Sequence, residues 1–333
     1  MNTPTTNPYR IVVGFFTAPA PALRTLMMPT TLHQLCYLQQ PDRPPGVLLA
    51  VFSQAWSPKS TELCLQMTAT AESPLYEPAW RFCDVGGVRL HRVSLTDAIT
   101  ALDRFIDSGR PHQVVTVNLD FLRLAHRDAQ FRQVLNSADL AVADGMPVVW
   151  LSRTAGDPLP ARVTGVDLTL HAAELAARKG YSIFLLGAAP AVAERAAAAL
   201  VRSHPGLRQP GVFSPPMGVW SDREQCDIVE RVRAAKPDML FVALGAPRQD
   251  LWLRERLQEL NVPVCAGIGG SLDIIAGNVS RAPAWMQSVG LEWTHRLMCE
   301  PRRLARRYLL EDLPFLVTAL TRRAPDAAGQ PRI

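Results

Sequence analysis

Residues 138–145 read ADLAVADG, a short apolar run that ends on an acid followed by glycine. Four apolar residues closed by Asp144-Gly145 suit a buried strand whose C-terminal tip carries a carboxylate, the position where open α/β sheets place their chemistry. A second polar tip lies upstream, where Val114-Val115-Thr116-Val117 gives way to Asn118. Two such tips on successive strands converge on one crevice, which makes Thr116, Asn118 and Asp144 the first candidate site residues. Asp-Gly is also an ordinary turn dipeptide, and that reading stands beside the functional one.

From residue 84 onward, apolar runs alternate with amphipathic stretches. Strands are expected at 85–90, 114–117, 140–143, 182–187, 239–244 and 262–268. Helices are expected over 95–106, with Ser94 as cap and Asp97 in the capping-box position, and over 119–135 with a break near Asp128. Others are expected over 166–179, closed by Gly180, and over 191–203, 223–235 and 249–260. Continuous apolar strands between amphipathic helices imply a parallel sheet covered on both faces and joined by right-handed crossovers. The expected fold class is α/β, a Rossmann-like parallel sheet flanked by helices, followed by a basic helical C-terminal appendage.

Residues 1–80 have a different texture. They hold 11 of the 28 prolines and show no sustained helical period, although 46–52 suits a short strand. The expected organisation is a Pro-rich extension over 1–80, poorly ordered or loosely packed. An α/β core over 81–290, a basic appendage over 291–320 and a disordered tail over 321–333 follow. The chain of 333 residues is 48% hydrophobic and 20% charged, values of a globular protein. Its six cysteines form no C-x-x-C pair and no zinc spacing, a pattern that fits a reducing cytosol. No apolar run approaches the roughly 20 residues of a spanning helix. The stretch after Arg10 faintly resembles a cleaved leader, but it is short and interrupted by proline, so secretion is not expected.

The net charge of +5 is concentrated late in the chain. Between Arg281 and Arg323, eight arginines face four acids and no lysine occurs. Such a patch suits a phosphate-bearing partner or an anionic membrane surface. Pro301 can open a helix that places Arg302, Arg303, Arg306 and Arg307 on one side, and forked guanidinium bonds suit a diphosphate. A solvated helix face is the plain alternative. Nucleic acid is not expected, because the patch lacks interleaved aromatics and the chain shows no nucleic-acid motif. The seven histidines are dispersed, and only His295, beside Arg296, lies near this patch.

Three further strand ends carry glycine: Gly187, Gly245, and the pair Gly269-Gly270. Glycine there lets backbone amides approach a phosphate, so three such tips suggest a nucleotide or sugar-phosphate crevice; each also fits an ordinary strand–helix turn. The G-x-G-x-x-G fingerprint is incomplete, which argues against hydride transfer. A phosphate-binding G-x-x-x-x-G-K-[ST] loop and a G-x-S-x-G elbow are both absent, and no D-x-D occurs to chelate a metal.

Taken in order, these motifs are similar to the WecG/TagA/CpsF glycosyltransferases over about residues 84–316. The segments that carry the resemblance are Thr116-Val117-Asn118, Ala143-Asp144-Gly145, Arg162-Val163-Thr164-Gly165-Val166-Asp167 and Phe184-Leu185-Leu186-Gly187. Further on they are Gly245-Ala246-Pro247-Arg248-Gln249-Asp250, Gly267-Ile268-Gly269-Gly270-Ser271, Arg281-Ala282-Pro283 and Gly290-Leu291-Glu292-Trp293 running into Glu300-Pro301-Arg302-Arg303. Val117 stands where the family usually has proline, and Asp250 where glutamate is more usual.

The resemblance implies an inverting, metal-independent transferase without a cofactor. It would move a sugar (N-acetylmannosamine, its uronic acid, glucose or galactose) from a UDP-sugar donor to a polyprenyl-diphosphate-linked saccharide. The setting would be the inner face of the cytoplasmic membrane during assembly of teichoic acid, capsule or exopolysaccharide, with self-association possible. In this reading Asp144 is the base, and Thr116 and Asn118 position substrate oxygens. Arg162, Gln249, Gly187, Gly245, Gly269 and Gly270 line the substrate pocket, and Arg296, Arg303 and Arg306 hold the lipid diphosphate. The alternatives are a non-catalytic UDP-sugar-binding subunit of an assembly complex and a dinucleotide-dependent oxidoreductase.

Overall fold

The computed structural model describes residues 81–321, residue 217 excepted, and three short strands before them. The chain divides into two compact units, Met1–Ala79 and Trp80–Ile333. In the first, β1 (Phe16–Thr17), β2 (Leu35–Cys36) and β3 (Val47–Ala50) form an antiparallel sheet in the order β1-β3-β2. Strand β3 falls within the expected stretch 46–52. The rest of the expected loose extension over 1–80, and the tail beyond 321, lie outside the described residues.

The second unit opens with an antiparallel hairpin, β4 (Phe82–Val85) and β5 (Val88–His91), in place of the single strand expected at 85–90. Gly86 and Gly87 sit at φ 65° and 84°, a left-handed pair that turns the chain back on itself. The hairpin is tied to the core through His91. Burial pushes its imidazole down to about 4 and keeps it neutral, so Nδ1 accepts from the Ala141 N–H at 2.9 Å.

Helix α1 (Leu95–Ser108) begins at Ser94, whose hydroxyl accepts from the Asp97 N–H while the Asp97 carboxylate accepts from the Ser94 N–H. Strand β6 (His112–Val117) leads into α2 (Leu119–Arg127) and α3 (Ala129–Asn136). The break between these helices is Asp128, whose carboxylate caps α3 by accepting from the Gln130 and Phe131 N–H groups. Next come β7 (Leu140–Ala143), α4 (Met146–Thr154), α5 (Gly165–Lys179), β8 (Ile183–Gly187) and α6 (Pro190–Ser203). They are followed by β9 (Gly211–Phe213), α7 (Asp222–Ala235), β10 (Met239–Ala243), α8 (Arg248–Leu260) and β11 (Val264–Gly267). Short helices α9 (Ser271–Ile275), α10 (Ala284–Ser288), α11 (Glu292–Cys299) and α12 (Pro301–Ala305) lead to a π-helical stretch, Arg306–Asp312, and to α13 (Leu313–Thr321).

Six strands form one parallel sheet in the order β7-β6-β11-β10-β8-β9. Every residue of β6, β7, β8 and β11 is buried, as a sheet covered on both faces requires. Alternate side chains go to opposite sides. Val114, Leu140 and Val142 pack beneath α1, α5 and α6, while Val115, Val117, Ala141 and Ala143 pack with Phe121, Phe131 and Val148. Leu316 of α13 joins that second cluster, so the C-terminal segment has an apolar foothold on the core. The register pairs Val117 with Ala143 and Val115 with Gly267, which brings the C-terminal ends of β6, β7 and β11 to one edge.

Candidate active site

At that edge lies a cavity lined by Asn118, Asp144, Arg162, Thr164 and Ser271 on one side and by Glu292, Trp293, Arg296, Arg307, Tyr308, Asp312 and Leu316 on the other. The strand-side wall is set by local backbone bonding. The Asp144 N–H donates to the Val117 carbonyl at 2.8 Å, which fixes the β7 tip beside β6. Asn118 caps α2, its Oδ1 accepting from the Phe121 N–H at 3.2 Å. The Val163 N–H donates to the Ala143 carbonyl at 2.8 Å and carries Arg162 to the same edge. Thr164 caps α5 and donates its hydroxyl proton to Asp167 at 2.8 Å. The first residues of α5, Gly165 and Val166, reach the cavity, where a helix N-terminus favours an anion.

The opposite wall is the C-terminal segment. Gly290 brings it close: a Cβ there would fall 2.7 Å from Met146 Cγ. Beyond it the segment is held by charge. Arg123, on α2 and 7% exposed, pairs with Asp120, with Glu311 at 3.0 Å and with Asp312 at 3.0 Å. Arg307 lies 3.6 Å from Asp120 and 3.8 Å from Asp312. Burial, helped by the neighbouring Asp120 charge, pushes the Asp312 carboxyl up to about 6 against the pull of Arg123 and Arg307.

The charges facing the cavity are not equally engaged. Arg162 pairs with Glu292, and Arg307 with Asp120 and Asp312. Among the described residues, the Asp144 side chain has neither a hydrogen bond nor an ion pair, and Arg296 has no carboxylate within 4.0 Å. Burial raises the Asp144 carboxyl to about 6; Arg296 and Arg162 oppose that rise, while Glu292 and Asp167 add to it. A carboxylate so placed is a stronger base than a solvated one and is still ionised at neutral pH. An unengaged guanidinium beside it is free to receive an anion.

The structure separates the sequence candidates into groups. Asn118, Asp144, Arg162 and Arg296 line the one cavity. Gly270 adjoins them, since a Cβ there would stand 3.3 Å from Arg296 Nη2. Thr116 lies under the β6 tip, 3% exposed, with its hydroxyl donating to the Gly267 carbonyl at 2.9 Å. Gln249 is buried between two glycine tips, and its Oε1 accepts from the Gly245 N–H at 3.2 Å and the Gly269 N–H at 3.1 Å. Gly187 ends β8 along the same sheet edge, outside the cavity lining. The tail arginines diverge where the helix widens into its π-helical stretch. Arg303 pairs with Glu300 and Arg306 projects outward, whereas Arg307 turns in, so the single basic face drawn from a regular 100° step does not run through this stretch. The sequence marks Arg307 only as part of the basic tail face, and it does not mark Thr164, Trp293, Tyr308 or the Asp120–Arg123–Asp312 cluster as site residues. Their signals were a Thr-x-x-Asp cap and an Asp–Arg pair three apart, both common in any helical protein.

The cavity thus sets a strand-tip carboxylate, a paired arginine and one without a carboxylate partner at the C-terminal edge of a parallel sheet, the edge where open α/β folds bind ligands. The chain belongs to the family described as "Glycosyl transferase WecG/TagA/CpsF family", whose model matches residues 83–328. It is similar to an N-acetylglucosaminyldiphosphoundecaprenol N-acetyl-beta-D-mannosaminyltransferase of Bacillus spizizenii, 32% identical over 68% of this chain and 85% of the relative. A Bacillus subtilis protein of the same description is 33% identical over 64% of this chain and 82% of its own. One from Staphylococcus aureus is 28% identical over 70% and 90%.

Proposed function

We propose that this protein transfers a sugar from a UDP-sugar to a polyprenyl-diphosphate-linked saccharide, with inversion at the anomeric carbon. N-acetylmannosamine is the donor sugar that the relatives' descriptions favour. The acceptor hydroxyl attacks C1 of the donor sugar and its proton passes to Asp144. The C1–O bond to the diphosphate breaks, and UDP leaves with that electron pair. Arg162 and Arg296 take up the charge that grows on the departing diphosphate, so the step needs no metal. The observation that carries this reading is the unengaged Asp144 carboxylate, raised to about 6, in the cavity that also holds the unengaged Arg296.

Residues 291–320 serve as an appendage that brings the site to the cytoplasmic membrane surface. Met298, Leu309, Leu310, Leu313 and Val317 are exposed on it beside the outward Arg302 and Arg306. Among the described residues no helix is long and apolar enough to cross a membrane. A surface of this mixed character suits binding in the headgroup layer, with Arg303 and Arg306 on the lipid diphosphate.

The test is UDP release from a panel of UDP-sugars, with and without a polyprenyl-diphosphate-linked N-acetylglucosamine. Release that depends on the acceptor and on one donor supports the transfer. Tight UDP-sugar binding without turnover on any pair would instead make the chain a binding subunit.

A further inference from the structure

Arg162 does not wait in the cavity as a free cation. Its Nη1 is bound to Glu292 Oε2, and its Nη2 lies 3.4 Å from Gln287 Oε1. Glu292 lines the cavity from the first turn of α11, so its carboxylate borders the space that an anion on Arg162 would fill. The second oxygen of Glu292 faces another arginine. Oε1 is 3.8 Å from Arg281 Nε, too far for a hydrogen bond. That Nε–H is buried and has no hydrogen-bond partner, although the Nη2 end of Arg281 is engaged by Asp167. A buried donor left open costs roughly 1–3 kcal/mol, and a shift of Glu292 by about 1 Å would fill it.

We propose that Glu292 is a positioning residue with two seats: it occupies Arg162 while the site is empty, and moves onto Arg281 when a diphosphate takes Arg162. The proposal rests on the reading of the cavity as a nucleotide-sugar site. It accounts for three features together: an arginine pair that closes the cavity's own cation, a carboxylate within reach of the cavity, and an open donor just beyond that carboxylate. Before binding, the exchange spares Arg162 an unpaired charge in a half-buried place. After binding, Glu292 is not left facing the phosphate without a partner.

The two residues therefore have opposite effects on ligand affinity. Glu292→Gln keeps the shape and a hydrogen-bond acceptor but removes the anion that competes for Arg162. It is expected to tighten UDP binding by about three- to fivefold. Arg281→Gln removes the second seat and leaves Glu292 on Arg162, so UDP binding weakens. A network that only braced the fold would weaken binding in both variants. The experiment is calorimetric titration of the full chain with UDP, with circular dichroism and Tm as folding controls. Tighter binding by Glu292→Gln and weaker binding by Arg281→Gln support the exchange. Unchanged or weaker binding by folded Glu292→Gln overturns it while the site reading stands. A wild type that binds no UDP overturns both.

Discussion

The two walls of the Asp144 cavity are built on different principles. Asn118 and Thr164 are placed by helix caps to residues three positions away, and Asp144 by a backbone bond to Val117 on the neighbouring strand. Arg307 and Asp312 are placed by ion pairs that reach back across the chain to Asp120 and Arg123, the latter 189 positions before Asp312, while Trp293 and Tyr308 meet edge to face beside them. The first wall is built into the edge of the sheet. The second depends on a buried charge cluster and on one apolar contact patch around Leu316, so it is the half that acid, salt or a single substitution should loosen.

The largest expected effect is on the strand wall. Asp144→Asn should cut turnover by about 10²–10⁴ without lowering Tm at neutral pH, because it removes the base, keeps the shape and relieves a buried charge. Steady-state rates and a thermal melt of the same preparation check this. The next is on the other wall. Arg123→Leu leaves Asp120, Glu311 and Asp312 without their buried cation and should cost about 3–5 kcal/mol. Limited proteolysis should then cut the 300–321 stretch first. If both walls resist protease equally, they are not held differently.

Asp250 offers a smaller test, because it lies behind the strand wall in the sheet's own packing. It is wholly buried, its two carboxylate oxygens lack hydrogen-bond partners, and burial raises it from 3.8 to about 7. A Cβ on Gly267 would fall 2.5 Å from its Oδ1, so the glycine makes room for this acid. The folded state binds the proton more tightly than the unfolded one, so stability falls as pH rises from about 4 to about 7 and then levels. Asp250→Asn does not titrate. Its Tm advantage over wild type should be near zero at pH 4, grow to pH 7 and stay constant above it. The smallest effect on stability belongs to Arg306→Ala. That side chain is 86% exposed and should change unfolding free energy by less than about 0.5 kcal/mol. Its turnover on a membrane-embedded acceptor should still fall, whereas equal turnover would remove Arg306 from the lipid contact.

The same contrast explains what was legible in the sequence. The strand wall was readable because its determinants are local: an apolar run stopped by Asp144, Ser94 with Asp97, Asp128 between two helices, and Gly180 after α5. The parallel sheet followed from the unbroken apolar strands. Helix α4 and strand β9 escaped, the first because residues 146–154 lack a clear polar face, the second because it is three residues long. The hairpin at 82–91 looks like one strand in the sequence because Gly86-Gly87 interrupts the pattern for only two residues. The far wall was marked by charge but not by geometry. Nothing local says that Arg123 meets Asp312, or that the helix widens at Arg306 and turns Arg307 inward.

The most direct test of the account is kcat/KM measured against pH with a saturating polyprenyl-linked acceptor. A base raised to about 6 at the β7 tip predicts a rate that falls below pH 6 with unit slope, as Asp144 takes up a proton before the substrate can supply one. A rate that stays level from pH 7 down to pH 5 would contradict Asp144 as the base.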